Sequence, residues 1–243
     1  MRGNFFCAIL LLGSLFGFAQ APADTTAANQ KTIYFFSGLG ADPSPFTNLN
    51  LPGYRKVFIS WIPPLPDESL AHYAGRIKSQ ITDKNPRIVG LSFGGVVAVE
   101  VAKQMPVDKM VLISSAKTSD ELNRVNSFFM RAGMYRIIPG VLLKHTNFLT
   151  YSYFGARSEM DKKELAHLLR NTDISLFRWG LKSIAYWDNK EVPQRTIHIH
   201  GTADRVIAYK RIQPDYRIEG GGHLMVFNRA DTVSKIIMNY FRD

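Results

Sequence analysis

Six short runs of β-branched and aromatic residues, separated by segments of helical character, restrict what this sequence can fold into. They are Thr32–Phe36, Lys56–Trp61, Arg87–Leu91, Lys109–Ser114, Thr196–His200 and Tyr216–Glu219. Several are apolar without interruption, as strands buried on both faces must be, and strand–helix alternation is the pattern of βαβ units on a mostly parallel sheet. Helices are expected at Asp67–Thr82, Phe93–Gln104 and Ala230–Phe241. Phe93–Gln104 carries Glu100 as its only acid, so it should lie against the sheet and not on the surface. The expected fold class is therefore α/β, a mostly parallel sheet of about six strands flanked by helices.

The alternation stops between residues 117 and 194, where no convincing strand occurs. Helical stretches such as Glu121–Met134 and Asp161–Leu169 fill this span, and a structureless loop of that length is improbable in a compact domain. It reads as a helical insertion between two core strands, with residues 31–116 and 195–243 forming the core.

The N-terminus differs from the rest. Arg2 precedes the uncharged, mostly apolar stretch Phe5–Ala19, which reads as a secretory signal peptide over residues 1–19 followed by a small, polar linker over 20–30. The small residues Gly17 and Ala19 place cleavage before Gln20. The stretch is shorter than the roughly 20 residues that span a bilayer, so cleavage is favoured over an uncleaved anchor, and the mature protein is expected to be periplasmic or secreted. Cys7, the only cysteine, lies within that segment. A chain cleaved there has no thiol for a disulfide, for thiolate chemistry or for a cysteine metal site.

The net charge of +10 does not by itself indicate nucleic acid, because the basic residues are scattered and no helix-turn-helix, zinc-finger or RNA-binding signature accompanies them. H-E-x-x-H, a phosphate loop ending in G-K-[ST] and G-x-G-x-x-G are all absent from the sequence. No cofactor or metal is therefore implied.

The apolar run Arg87–Leu91 ends in Gly90-Leu91-Ser92-Phe93-Gly94, which fits G-x-S-x-G. At a tight turn from strand to helix the serine backbone is strained and its hydroxyl projects above the sheet, so its neighbours must be small. The alternative is a helix-capping serine between glycines that serve only close packing. A serine hydroxyl needs a base, normally a histidine oriented by a carboxylate. Of the six histidines, His72 and His167 belong to helix surfaces, His145 to the insertion, and His198 and His200 to one strand. His223 follows Gly220-Gly221-Gly222 just past the last strand, at the end of the sheet where α/β proteins place their sites, and is the strongest base candidate. Asp204 follows the strand Thr196–His200 after a glycine turn and is the best carboxylate, ahead of Asp120, Glu121 and Asp215.

Ser92, Asp204 and His223 thus stand in the order serine, acid, histidine, each on a loop after a strand. From Thr32 to Phe241 the chain resembles the α/β-hydrolase superfamily in this order and placement. The resemblance implies that Ser92 is the nucleophile, His223 the general base and then acid, and Asp204 the orienting carboxylate. It also implies that the glycine-rich turn Ser37-Gly38-Leu39-Gly40 supplies one backbone N–H of an oxyanion hole, which maps the two donors onto Leu39 and Phe93. Two departures stand out: many family members have histidine where this chain has Ser37, and Pro22–Gln30 leaves no room for the family's two leading strands. The resemblance would place residues 117–194 over the serine as a cap.

Within that insertion, Leu122–Ser158 holds no acid, while Arg124, Arg131, Arg136, Lys144 and Arg157 alternate with aromatic residues such as Phe128, Phe129, Phe148, Tyr151 and Phe154. Such a segment can line an acyl pocket with its basic side chains solvated, or it can meet anionic lipid. Trp61-Ile62-Pro63-Pro64 reads as a stiff wall near the site or as a surface turn with a core tryptophan. The expected activity is hydrolysis of a carboxylic ester or related acyl bond in a small-molecule substrate. Amide, thioester or lyase chemistry on the same scaffold, and a non-catalytic lipid- or partner-binding protein, remain the alternatives.

Overall fold

The computed structural model describes residues 30–122, 133 and 146–242. The expected signal peptide, most of the expected linker, nearly all of the expected helix Glu121–Met134 and His145 lie outside the described residues. No described helix is long and apolar enough to cross a membrane.

All six expected strands form: β1 Lys31–Phe36, β2 Tyr54–Phe58, β3 Arg87–Leu91, β4 Lys109–Ile113, β5 Thr196–Gly201 and β6 Tyr216–Ile218. They pair in parallel in the order β2-β1-β3-β4-β5-β6. Alternate residues of each strand serve opposite faces. Tyr34, Phe36, Ile88, Met110 and Leu112 join one apolar cluster, and Ile33, Phe35, Val89, Leu91, Val111 and Ile113 the other. The first cluster is covered by α1 (Leu70–Ile77) and α2 (Phe93–Ala102) through Tyr73, Ile77 and Val97. The C-terminal helix α7 (Ala230–Arg242) covers the second through Val233, Ile237 and Phe241, after the one-turn helix α6 (Met225–Asn228). Each fully buried side chain of this size contributes about 1.5–3 kcal/mol.

Helix α2 is buried along its length, as its all-round apolar character requires. Glu100 is tolerated there because the Trp187 indole N–H donates to its Oε1 at 2.8 Å and Lys103 pairs with it at 3.2 Å. Several boundaries differ from expectation: the first helix ends at Ile77 and not Thr82, and two starts also move. The helix expected from Asp67 starts only at Leu70, because Ser69 caps it by accepting the His72 N–H and Asp67 has a left-handed φ of 50°. Strand β2 sits two residues earlier than expected and ends at Phe58, after which Ser60 and Ile62 turn their backbone groups to side chains.

Between β4 and β5 the described residues form three α-helices: α3 Phe148–Phe154, α4 Glu159–Asn171 and α5 Ile174–Tyr186. Each begins at a side-chain cap, Asn147, Ser158 and Asp173 respectively, and Ser158 with Asp161 completes a reciprocal capping box on α4.

Candidate active site

Strand β3 delivers Ser92 at φ 53° and ψ −125°, a strained conformation for a residue with a side chain. Close packing enforces the turn. A Cβ on Gly90 would lie 2.5 Å from the Gly95 Cα, and one on Gly94 would lie 2.1 Å from the Ser37 carbonyl oxygen at the end of β1. The serine backbone is fixed to the neighbouring strand, its N–H donating to Ile113 O at 2.9 Å and its carbonyl accepting from Ser115 Oγ at 2.7 Å.

The three residues singled out by order and placement come together. His223 Nε2 lies 2.9 Å from Ser92 Oγ, and His223 Nδ1 lies 2.8 Å from Asp204 Oδ2. With Nδ1–H donating to the carboxylate, Nε2 is left as the acceptor for the serine hydroxyl. Asp204 is aimed by its other oxygen, which accepts the N–H groups of Val206 at 2.9 Å and Ile207 at 3.1 Å. Asp204 and His223 are both buried, and the Phe154 ring stands edge-on to the imidazole at 5.8 Å. Burial pushes the Asp204 carboxyl up, yet the adjacent His223 and the bonds it accepts more than offset this and hold it below its ordinary value. It therefore stays ionised above its ordinary value.

The other histidines and acids have partners of their own, although His200 Nε2 also lies 3.5 Å from Asp204 Oδ2 and Glu121 lines the same cavity as Ser92. His72 pairs with Glu68 and His167 with Asp42. Asp215 Oδ2 accepts the His198 backbone N–H, Asp120 pairs with Lys190, and Glu121 Oε2 accepts the Lys117 N–H. His198 and His200 are fully buried and bonded to each other at 3.2 Å, and His200 Nε2 donates to Ile207 O at 2.9 Å. Burial pushes both imidazoles down, His198 the further, aided by His200 and Lys117. The pair thus backs the turn that carries Asp204.

Ser92 and His223 open into a cavity of about 400 Å³. Leu39 and Phe93 line it beside them. Most of its remaining wall is apolar and comes from the insertion: Phe154 of α3, Leu165 and Leu168 of α4, and Phe177, Leu181 and Ile184 of α5. Arg205 stands exposed at the edge, its Nη1 donating to Ser152 Oγ at 3.0 Å. Among the described residues no group of three or more His, Cys, Asp or Glu side chains could hold a metal ion.

The model of the alpha/beta hydrolase family matches residues 25–236. The chain belongs to that family. No curated protein matches the sequence. Among solved structures it is similar to an esterase from Exiguobacterium antarcticum, with a TM-score of 0.68, 16% identity, and 88% of this chain and 92% of that one covered. An enol-lactonase from Burkholderia xenovorans gives a TM-score of 0.66 at 17% identity over 88% and 92% of the two chains. A bromoperoxidase from Bacillus anthracis gives 0.65 at 15% identity over 88% and 92%. At these identities the alpha/beta hydrolase likeness is one of fold, and chemistry must be argued from the side chains.

Two features of the site were not read from the sequence. The helices α3 and α5, which build much of the cavity wall, carried a signal in their caps Asn147 and Asp173. The bond from the Trp61 indole N–H to Ser37 Oγ carried none, because it joins residues more than twenty positions apart, although Trp61 itself stands near the site as one of its two readings has it.

Proposed function

We propose that this member of the alpha/beta hydrolase family is an exported serine hydrolase that cleaves a carboxylic ester through Ser92, His223 and Asp204. The observation that carries the reading is the unbroken chain from Ser92 Oγ through His223 to Asp204, with spacings of 2.9 and 2.8 Å. His223 takes the serine proton as Oγ attacks the acyl carbon, and the backbone N–H groups of Leu39 and Phe93 receive the developing oxyanion. Collapse expels the alcohol, which takes the proton from His223 and leaves an acyl-serine. Water, deprotonated by His223, then releases the carboxylate and restores Ser92. Residues 117–194 serve as the cap, and the apolar wall that α4 and α5 give the cavity supports an uncharged, apolar acyl group. A lactone, being an internal ester, is met by the same chemistry, and one structural neighbour is an enol-lactonase. Export is supported by the Arg2 and Phe5–Ala19 pattern.

The test is a fluorophosphonate probe applied to the folded protein and to Ser92→Ala. Covalent labelling that disappears in the variant is expected, with ester hydrolysis reduced about 10⁶-fold. Labelling of another serine, or none, overturns the assignment.

A further inference from the structure

An oxyanion donor works only if it is held in place before the reaction, and the turn that carries Leu39, though Ala41 N donates to Gly38 O at 3.0 Å, is not tied to the rest of the fold by that bond. It contains Gly38 and Gly40, the latter with a φ of 64°, and Ser37 offers a shorter side chain than the histidine common at this place in the family. The Ser37 hydroxyl spends its proton on Ala41 O at 2.6 Å, closing the turn on itself. The turn's tie to the rest of the fold comes from a residue on a different loop. The single indole N–H of Trp61 is shared between Ser37 Oγ at 3.0 Å and Gly38 O at 3.1 Å. Gly38 is the residue immediately before Leu39. On its other side, the Trp61 ring stacks on Phe93 with centroids 5.7 Å apart and planes inclined by 25°.

Trp61 is itself fixed more firmly than an irregular loop requires. The residue before it, Ser60, gives its N–H and its carbonyl to the side-chain amide of Gln80, each at 2.9 Å. The residue after it, Ile62, does the same with the Tyr73 hydroxyl, at 3.1 and 2.8 Å. Burial pushes that hydroxyl up to about 12, so it keeps the proton it donates. Both peptide neighbours of one tryptophan are thus pinned by side chains of the α1 region. From the insertion, α5 adds a seat for Leu39, whose Cδ1 would lie 2.2 Å from a Cβ on Gly180.

We infer that Trp61 is a positioning residue for the oxyanion hole, its N–H holding the Leu39 turn and its ring backing Phe93, so that one side chain sets the spacing between the two donors. The inference rests on the serine-hydrolase reading above. It assigns to Trp61 the task of tying to the rest of the fold a turn that the Ser37 hydroxyl closes only on itself.

Trp61→Phe keeps a ring against Phe93 and removes the N–H, and the full-length protein is assayed on a short-chain p-nitrophenyl ester and a trifluoromethyl ketone that mimics the tetrahedral adduct. A kcat loss of about 10- to 100-fold is expected, smaller than deleting a donor outright, with KM changed less than about threefold. Affinity for the ketone should fall by the same factor as kcat/KM. Trp179→Phe is the control: its indole lies edge-on to the same Phe93 ring at 5.9 Å but donates to Glu68 O, away from the turn. It should keep kcat within about twofold, since it deletes packing and not the clamp. Equal losses in the two variants, or a rise in KM at unchanged kcat, overturn the inference. If Trp61→Phe does not fold, Tyr73→Phe loosens the loop from the far side and should show the same split at about three- to tenfold; an unchanged kcat there overturns it too. Ser92 labelled by the fluorophosphonate with Trp61→Phe fully active sinks this inference alone, whereas absence of labelling in the unaltered protein sinks both.

Discussion

The floor of the cavity and its wall are held together by different means. On the floor, the loops of the proposed triad are fixed largely by backbone bonds at the ends of the strands. The Ser92 N–H donates to Ile113 O at the end of β4 and its carbonyl accepts from Ser115 Oγ just beyond, while Ala203 N donates to Gly221 O at 2.9 Å and Gly221 N to Ile218 O at 3.0 Å, so the acid and histidine loops are stitched to each other. The wall meets the core through side chains and a few close backbone approaches. Helix α3 has no buried residue along its seven, exposes Phe148 and Leu149, and touches the floor where a Cβ on Gly155 would lie 2.8 Å from the Gly222 Cα, where Leu224 N donates to Phe154 O at 3.4 Å and where Phe154 stands edge-on to His223. On the proposed reading, the floor fixes distances within the triad and the wall fixes the shape offered to a substrate. Changes on the floor should appear in kcat and changes in the wall in KM.

The largest effect that would break this division concerns Asp204. In Asp204→Asn the carbonyl oxygen is expected to keep the Val206 and Ile207 N–H groups, which presents the amide NH2 to His223 Nδ1 where the carboxylate accepted. The imidazole is then forced to carry its proton on Nε2 and can no longer take one from Ser92. A fall in kcat of about 10⁴ with little change in KM is expected from steady-state kinetics. A comparable loss in KM would mean that floor and wall are not separable.

An intermediate effect comes from titration. Burial holds His198 well below 6.5 and His200 below it, so between their folded values and 6.5 both are neutral in the folded chain and protonated in the unfolded one. Unfolding then takes up protons, and stability falls as pH falls through that window. Asp204, held below 3.8, acts in the same direction at lower pH: its contribution is present above its ordinary value and is lost as the carboxylate is protonated. The slope is at most about 1.4 kcal/mol per pH unit for each proton taken up. Denaturant melts between pH 5 and 7 should show stability rising with pH, and His198→Gln should flatten that rise. An equally steep slope in the variant would place the titrating groups elsewhere.

Much of the floor was legible in the sequence because its signals are local. A continuous apolar run followed by Gly90-Leu91-Ser92-Phe93-Gly94 carries within a few residues the reasons for strand, turn and helix, and the loops of Asp204 and His223 each follow their own strand at once. The wall was less legible for a matching reason. Helix α3, Phe-Leu-Thr-Tyr-Ser-Tyr-Phe, has the composition of a strand, and it is helical because Asn147 caps its start and Gly155, at a φ of 75°, ends it. Helix α5 carries its buried side at Leu176, Trp179, Gly180 and Ser183, a helical spacing that a glycine and a serine conceal from any count of apolar residues. The Trp61 clamp could not be found by spacing at all, since hydrogen bonds between loops follow from the order of β2 beside β1 in the sheet and not from any one segment.

The smallest predicted effect tests the wall directly. Phe177 lines the cavity from α5, is only partly buried and makes no bond to the Asp204, His223 or Ser92 loops. Phe177→Trp adds volume to the wall without touching the floor, so a short acyl group should be turned over as before while a long one meets the larger ring. The ratio of kcat/KM for long-chain to short-chain esters should fall about tenfold, almost all of it in KM, because one added or missing methylene in an apolar pocket is worth only about 1–3 kcal/mol. A uniform loss in kcat for both chain lengths would show that α5 reaches the reacting atoms. The route open to it is Gly180 and Leu39, whose contact is the place where α5 bears on the floor.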